Sequence, residues 1–170
     1  ASDVYKRQVK NNGKWFLINE KGNQVGESEY DDVILDEIGF SVRQKRAFVK
    51  QNGMVIMIDT NGKKIGQDSY EDAKPFNAEG YAAIKKNGKW GFVDINGKVV
   101  IEPKYENARS FSNGNAAIME NGKWGFINKK QSQIVECRFD DAKDFSQKKS
   151  CIFLGKVISY VMRLRGAIIF

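Results

Sequence analysis

Asn87-Gly88-Lys89-Trp90-Gly91-Phe92-Val93-Asp94-Ile95-Asn96-Gly97-Lys98 reads as turn, strand, turn. Asn-Gly favours the type I′ hairpin turn, because both central residues of that turn need positive φ. Two such pairs nine residues apart bracket one short strand. Along that strand Trp90 and Phe92 face one way, Gly91 and Val93 the other. A strand apolar on both faces is a covered one. The glycine in its middle predicts that a neighbouring ring or backbone comes close.

The same unit recurs along most of the chain. Its first-turn glycines are Gly13, Gly53, Gly88 and Gly122, spaced 40, 35 and 34 residues apart. Nine residues after each comes Gly22, Gly62 or Gly97, with Gln131 in the fourth copy. Seventeen after comes Tyr30, Tyr70, Tyr105 or Phe139, and twenty-three after comes Phe76, Phe111 or Phe145. The first copy has Asp36 at that last position and a longer loop around it.

Each copy predicts three short strands. One precedes the Asn-Gly turn (Ala47 to Lys50, Ala82 to Lys85, Ala116 to Met119). One follows it (Trp15 to Ile18, Val55 to Ile58, Trp90 to Val93, Trp124 to Ile127). A third follows the second turn, as in Lys98 to Ile101. Short strands with regular turn signals indicate antiparallel meanders. The fold class is therefore all-β, a tandem array of three-stranded meander units of 34 to 35 residues. No unit can bury its own apolar faces, so stacking supplies the core. An open or curved array suits this period better than a closed propeller, whose four-stranded blades run longer. Tyr105, Ala108 and Phe111 fall three residues apart, which predicts a tight helical turn whose rings pack onto the next unit.

The chain divides accordingly. Residues 1–8 match nothing later, resemble a translated sequencing adapter, and are set aside as a leader. Residues 9–46, 47–81, 82–115 and 116–150 are four units. In 151–170 a fifth begins and loses register after Gly155-Lys156, as a truncated or out-of-frame copy would.

Asn-Gly-Lys-Trp-Gly-Phe-Val-Asp, followed by Asn-Gly-Lys-Val-Val-Ile-Glu-Pro-Lys-Tyr-Glu, then Ala108 and Phe111, resembles the bacterial WG repeat. Residues 82–115 are the best copy and 116–150 the next, with two diverged copies in 9–81. Phe16 replaces the motif glycine in the first, and Val55-Ile56 replaces Trp-Gly in the second. The resemblance implies a β-rich repeat module with no family-wide catalytic residues.

The chain has 170 residues, 41% hydrophobic and 29% charged, which suits a folded repeat protein rather than disorder. Its net charge is +7, of which 151–170 carry +3 and residues 1–8 carry +1. Lys14, Lys63, Lys89, Lys98 and Lys123 are spread beside turn glycines, as solvated residues are, and do not form a nucleic-acid stripe. No apolar run reaches the length of a membrane helix, so no membrane insertion is expected. Cys137 and Cys151 occupy non-equivalent positions; one bridge between them is the alternative, which spacing alone does not establish, and two free thiols are the expectation, since stacking needs no staple.

The chain holds no histidine, which removes His-based triads and imidazole metal ligands. Two cysteines cannot build a structural zinc site, and no glycine-rich phosphate loop is present. Asp94 to Gly97 faintly matches a calcium loop. The register would put Phe92 at its first position and Pro103 at its twelfth, which excludes it. Asp59 and Asp94 are better read as acceptors for turn amides. The pairs Asp31-Asp32, Glu71-Asp72 and Asp140-Asp141 recur at one repeat position, as surface loops do; a hydrolase would single out one pair. Trp15, Trp90 and Trp124 read as core rather than as a stacking platform. No catalytic, cofactor-binding or metal residue is assigned, and no cofactor is expected.

The functional expectation is a non-catalytic scaffold that binds a protein or peptide through repeated loops, chiefly Ala73 to Glu79, Arg109 to Asn115 and Lys143 to Lys149. A cell-surface glycan-binding module is the alternative, since Asn-Gly-Lys-Trp also resembles choline-binding repeats, although those have a period near 20. An enzyme ranks below both.

Overall fold

The computed structural model describes residues 7–19, 21–26, 29–35, 42–143, 150–154, 157–164 and 167–169, with backbone alone for residue 7 and from 150 onward. Among these the regular structure is entirely β. Strands β1 (Arg7–Asn11) and β2 (Lys14–Ile18) form a hairpin. Strands β3 (Asp32–Val33), β4 (Arg46–Gln51) and β5 (Met54–Asp59) form a three-stranded sheet. Then come two four-stranded sheets in sequential order. The first holds β6 (Asp72–Ala73), β7 (Tyr81–Lys86), β8 (Lys89–Asp94) and β9 (Val99–Tyr105). The second holds β10 (Asn107–Ala108), β11 (Asn115–Glu120), β12 (Lys123–Asn128) and β13 (Gln133–Phe139). Strands β14 (Asp141–Ala142), β15 (Ser150–Leu154), β16 (Val157–Leu164) and β17 (Ala167–Ile169) repeat that order. Neighbouring strands are antiparallel, and no sheet closes into a barrel. The result is an open array of small sheets.

The ends bear on two expectations. Residues 1–6 of the expected leader lie outside the described residues, while Arg7 and Gln8 pair with Ile18 and Leu17. Beyond 150, Ser150 pairs with Val161 and Leu154 with Val157, so backbone pairing continues where the sequence period fails.

The first turns are type I′. Asn12, Asn52, Asn87 and Asn121 have φ of 48 to 52°, and their glycines 70 to 81°. The second turns are different. Gly97 donates its amide to the Asp94 carbonyl at 3.0 Å, and Asp94 donates to the Lys98 carbonyl at 3.0 Å. Only Gly97 has positive φ there, so this is a type I turn closed by one left-handed residue. The aspartate side chain dictates it: Asp94 Oδ1 accepts the Asn96 and Lys98 amides at 2.8 and 3.0 Å. Asn19, Asp59 and Asn128 do the same in the other copies.

Trp90 pairs with Tyr105 and Phe92 with Ile101, so Gly91 alone faces Glu102, Pro103 and Lys104. This bulge lies on the glycine itself. A Cβ there would sit 2.4 Å from the Ile101 carbonyl oxygen and 2.6 Å from the Pro103 nitrogen. Gly125 repeats the arrangement, 2.6 Å from the Val135 carbonyl oxygen. What approaches these glycines is backbone. Phe16 and Ile56 carry a Cβ at the equivalent positions. There the third strand shrinks to the isolated pairings Trp15–Tyr30 and Ile18–Gln24, and Val55–Tyr70 and Ile58–Lys64.

The expected helical turn after Tyr105 is absent. The chain bends at Glu106 and continues extended as β10 onto the edge of the next sheet. Glu106 donates its amide to the Met119 carbonyl at 3.0 Å, and Arg109 to the Ala117 carbonyl at 2.9 Å. With its donors taken by the next unit, the segment has none left for a local turn. The bend resets the alternation, which is why three-residue spacing imitated a helix. It also gives every sheet after the first hairpin an edge strand, two residues long, from the unit before, making four strands in the sheets of β6–β9, β10–β13 and β14–β17.

Three of the core clusters among the described residues are shared by two consecutive units, while Ala117, Trp124, Phe126, Phe139 and Ala142 form one within 116–150. Phe48, Met57, Tyr70 and Phe76 meet Ala82, Ile84 and Val93 of the following unit. Phe92, Tyr105 and Phe111 meet Ala116, Ile118 and Ile127. Within β4, Phe48 faces forward while Ala47 and Val49 face back toward Leu17 and Tyr30. Period-two alternation therefore gives both faces a partner. Phe76 stacks on Phe48 at 5.1 Å, and Phe111 meets Phe92 at 4.7 Å. Burial, with the nearby Asp68 charge, pushes the Tyr70 hydroxyl up to about 12.

Candidate functional site

The recurrent acids act at the junctions between units. Asp31 Oδ2 accepts the Asn52 amide at 2.8 Å, Glu71 accepts the Gly88 amide at 3.1 Å, and Glu106 accepts the Gly122 amide at 2.8 Å. Each acid thus grips the first turn of the following unit. The next position is local. Asp32, Asp72, Asn107 and Asp141 each accept the amide of the residue after them, at 2.8 to 2.9 Å. Turn lysines join in, Lys14 to Asp31 at 2.6 Å and Lys123 to Asp140 at 2.5 Å. Hydrogen bonding to Lys14 holds the Asp31 carboxyl below its ordinary value, and the same contact raises Lys14. Both groups are in solvent, so the pair contributes little stability. The sequence marked these acids as loop residues. Their grip on the turns was missed, although an acid directly after every Tyr or Phe at that repeat position was the signal for it.

A second set of loops leads into the first strand of each unit. In Arg43 to Arg46 the end residues exchange two backbone bonds of 2.8 Å, with Gln44 and Lys45 at φ 51° and 59°. Ser112 to Asn115 is the same turn with Asn113-Gly114 at its centre. Asn77 to Tyr81 lies between them. Adjacent loops are bonded. Gln44 Nε2 donates to the Ala78 carbonyl at 2.9 Å, Asn77 Nδ2 donates to the Phe111 carbonyl, and Glu79 accepts the Gly114 amide at 3.0 Å. Glu79 also meets Lys129 at 2.6 Å, and that ammonium sits 4.8 Å from the Tyr81 ring. Partial burial raises the Glu79 carboxyl, but Lys129 and the Gly114 amide outweigh it and hold it below its ordinary value. Val42, Arg43, Gln44, Phe76, Asn77 and Ala78 line an open groove of about 600 Å³ between two of these loops. Of the third loop singled out in the sequence, only Lys143 is described.

The tryptophans are core residues where their glycine is present: Trp90 is 7% exposed and Trp124 5%. Trp15 is only half-buried. A cation from the preceding segment lies over each buried ring, Lys74 at 5.0 Å from Trp90 and Arg109 at 5.2 Å from Trp124. Lys74 also donates to the Ala108 carbonyl. Cys137 is a free, half-buried thiol, raised by burial and by the Glu120 charge. The side chain of Cys151 lies outside the described residues. Among the described residues no three acidic, cysteine or histidine side chains gather as a metal would require, and no helix is long and apolar enough to cross a membrane.

A family model described as WG containing repeat matches residues 57–90, 90–124 and 124–156 in tandem. The chain matches no curated protein. The three matched segments are contiguous, cover more than half of the chain, and meet at Trp90 and Trp124, the two buried rings that precede the bulge-facing glycines. The chain belongs to the WG containing repeat family.

Proposed function

We propose that this chain is a non-catalytic scaffold that binds protein or peptide through the row of loops at 42–46, 77–81 and 112–115. The bonding of each loop to the next carries this reading: Gln44 to Ala78, Asn77 to Phe111, Glu79 to Gly114. Such a row presents one continuous, preorganised edge, and preorganisation lowers the ordering cost of binding. Weak contacts repeated along it add through avidity. The recurrent acids serve turns and unit junctions, which supports a structural role for them over acid–base chemistry.

A displayed peptide library and a glycan array, each probed with the intact chain and with single-unit deletions, test the proposal. Peptide affinity is expected to fall stepwise as units are removed. Loss of all binding on changing one polar side chain, with folding intact, would point to a single site and overturn it. Binding confined to the glycan array would favour the alternative.

A further inference from the structure

The chain contains seven Asn-Gly pairs. An asparagine followed by glycine is open to succinimide chemistry, because no side chain shields the glycine amide. The glycine nitrogen attacks the asparagine Cγ, a C–N bond forms, and the side-chain nitrogen leaves as ammonia. Water then opens the ring to an aspartyl or isoaspartyl residue. No oxidant or cofactor is required. The nucleophile is the glycine backbone nitrogen, so whatever holds that N–H controls the step.

In this fold the N–H is held almost everywhere. Gly88, Gly122 and Gly114 donate to Glu71, Glu106 and Glu79. Gly62 and Gly97 donate to the Asp59 and Asp94 carbonyls at 3.1 and 3.0 Å. Gly53 lies against the Asp31 carboxylate, which also takes the Asn52 amide. The four first turns are alike in shape: Asn12 has φ 48° against 51 to 52° at Asn52, Asn87 and Asn121, and the space around all four glycines is equally open.

We infer that the acid reaching over from the preceding unit protects the first-turn Asn-Gly pairs from deamidation, Glu71 guarding Asn87 and Glu106 guarding Asn121. The grip that joins units is also a chemical guard on the residue pair that makes each turn.

The experiment is prolonged incubation of the intact chain in mildly alkaline buffer, with isoaspartate located by peptide mapping. In Glu106→Gln the acceptor at Gly122 loses its charge, and Asn121 should convert about tenfold faster, the factor for weakening one hydrogen bond to a charged acceptor. Asn87 in the same variant keeps Glu71 and should not change. Glu71→Gln should reverse the two. Thermal unfolding of each variant separates the guard from general loosening, since loosening would speed both sites together. No acceleration at Asn121 in Glu106→Gln, or equal acceleration at Asn87 and Asn121 in that variant, would overturn the inference.

Discussion

At the scale of single residues, the first prediction concerns the buried rings. Trp90→Ala and Trp124→Ala should each cost about 3–5 kcal/mol in urea unfolding, the usual loss for a large buried aromatic. A change within about 0.5 kcal/mol would place the rings in solvent. Gln131 offers a change in the other direction. It holds φ 62° where three sister units have glycine. The left-handed region costs a side chain about 1–2 kcal/mol, and glycine returns part of that as lost chain entropy. Gln131→Gly should therefore stabilise by about 0.5–1 kcal/mol and raise the melting temperature. Much at this scale was legible beforehand. Asn-Gly announced the first turns, and Gly91 announced a close approach. The form of the second turns was not legible from their Asn-Gly pairs, but the role of Asp59 and Asp94 was: their side chains accept the turn amides as expected and decide the turn from upstream.

At the scale of elements, the two glycines under the bulges control the third strand. Gly91→Ala should detach β9, because the atoms it meets are backbone and cannot step aside. Hydrogen exchange read across Val99 to Tyr105 is the measurement, and unchanged protection there would refute the claim. Phe16 and Ile56 already show the outcome, with third strands reduced to isolated pairings. The segment after Tyr105 was misread as a helical turn because spacing alone cannot show which unit takes its backbone donors. The junction of the last two loops gives a pH prediction. The Glu79 carboxyl is depressed in the folded chain by Lys129 and the Gly114 amide, against its partial burial. Its contribution is complete above the unfolded value of about 4.3 and lost as pH falls through the lower folded value. Wild type should thus exceed Glu79→Gln in stability at neutral pH and converge with it in acid. A gap that persisted at the lowest pH would exclude this role.

At the scale of the whole molecule, stability comes largely from junctions, since three core clusters hold residues of two consecutive units. Removing residues 88–121 joins Asn87 to Gly122 and recreates the same Asn-Gly-Lys-Trp turn. The shortened chain should fold, with a lower unfolding midpoint and a smaller dependence on denaturant. Removing 88–104 instead leaves β7 without its hairpin partner and should abolish cooperative unfolding. The shared core has a consequence for inheritance. The joints between units are built alike, and Asn-Gly-Lys-Trp recurs in phase with them at residues 12–15, 87–90 and 121–124. Recombination that joined the coding sequence of one such stretch to that of the next, as between 87–90 and 121–124, would add or delete one whole unit, and the product would still close over the seam. Length is then a quantity that descent can change in one step, without first repairing an interface.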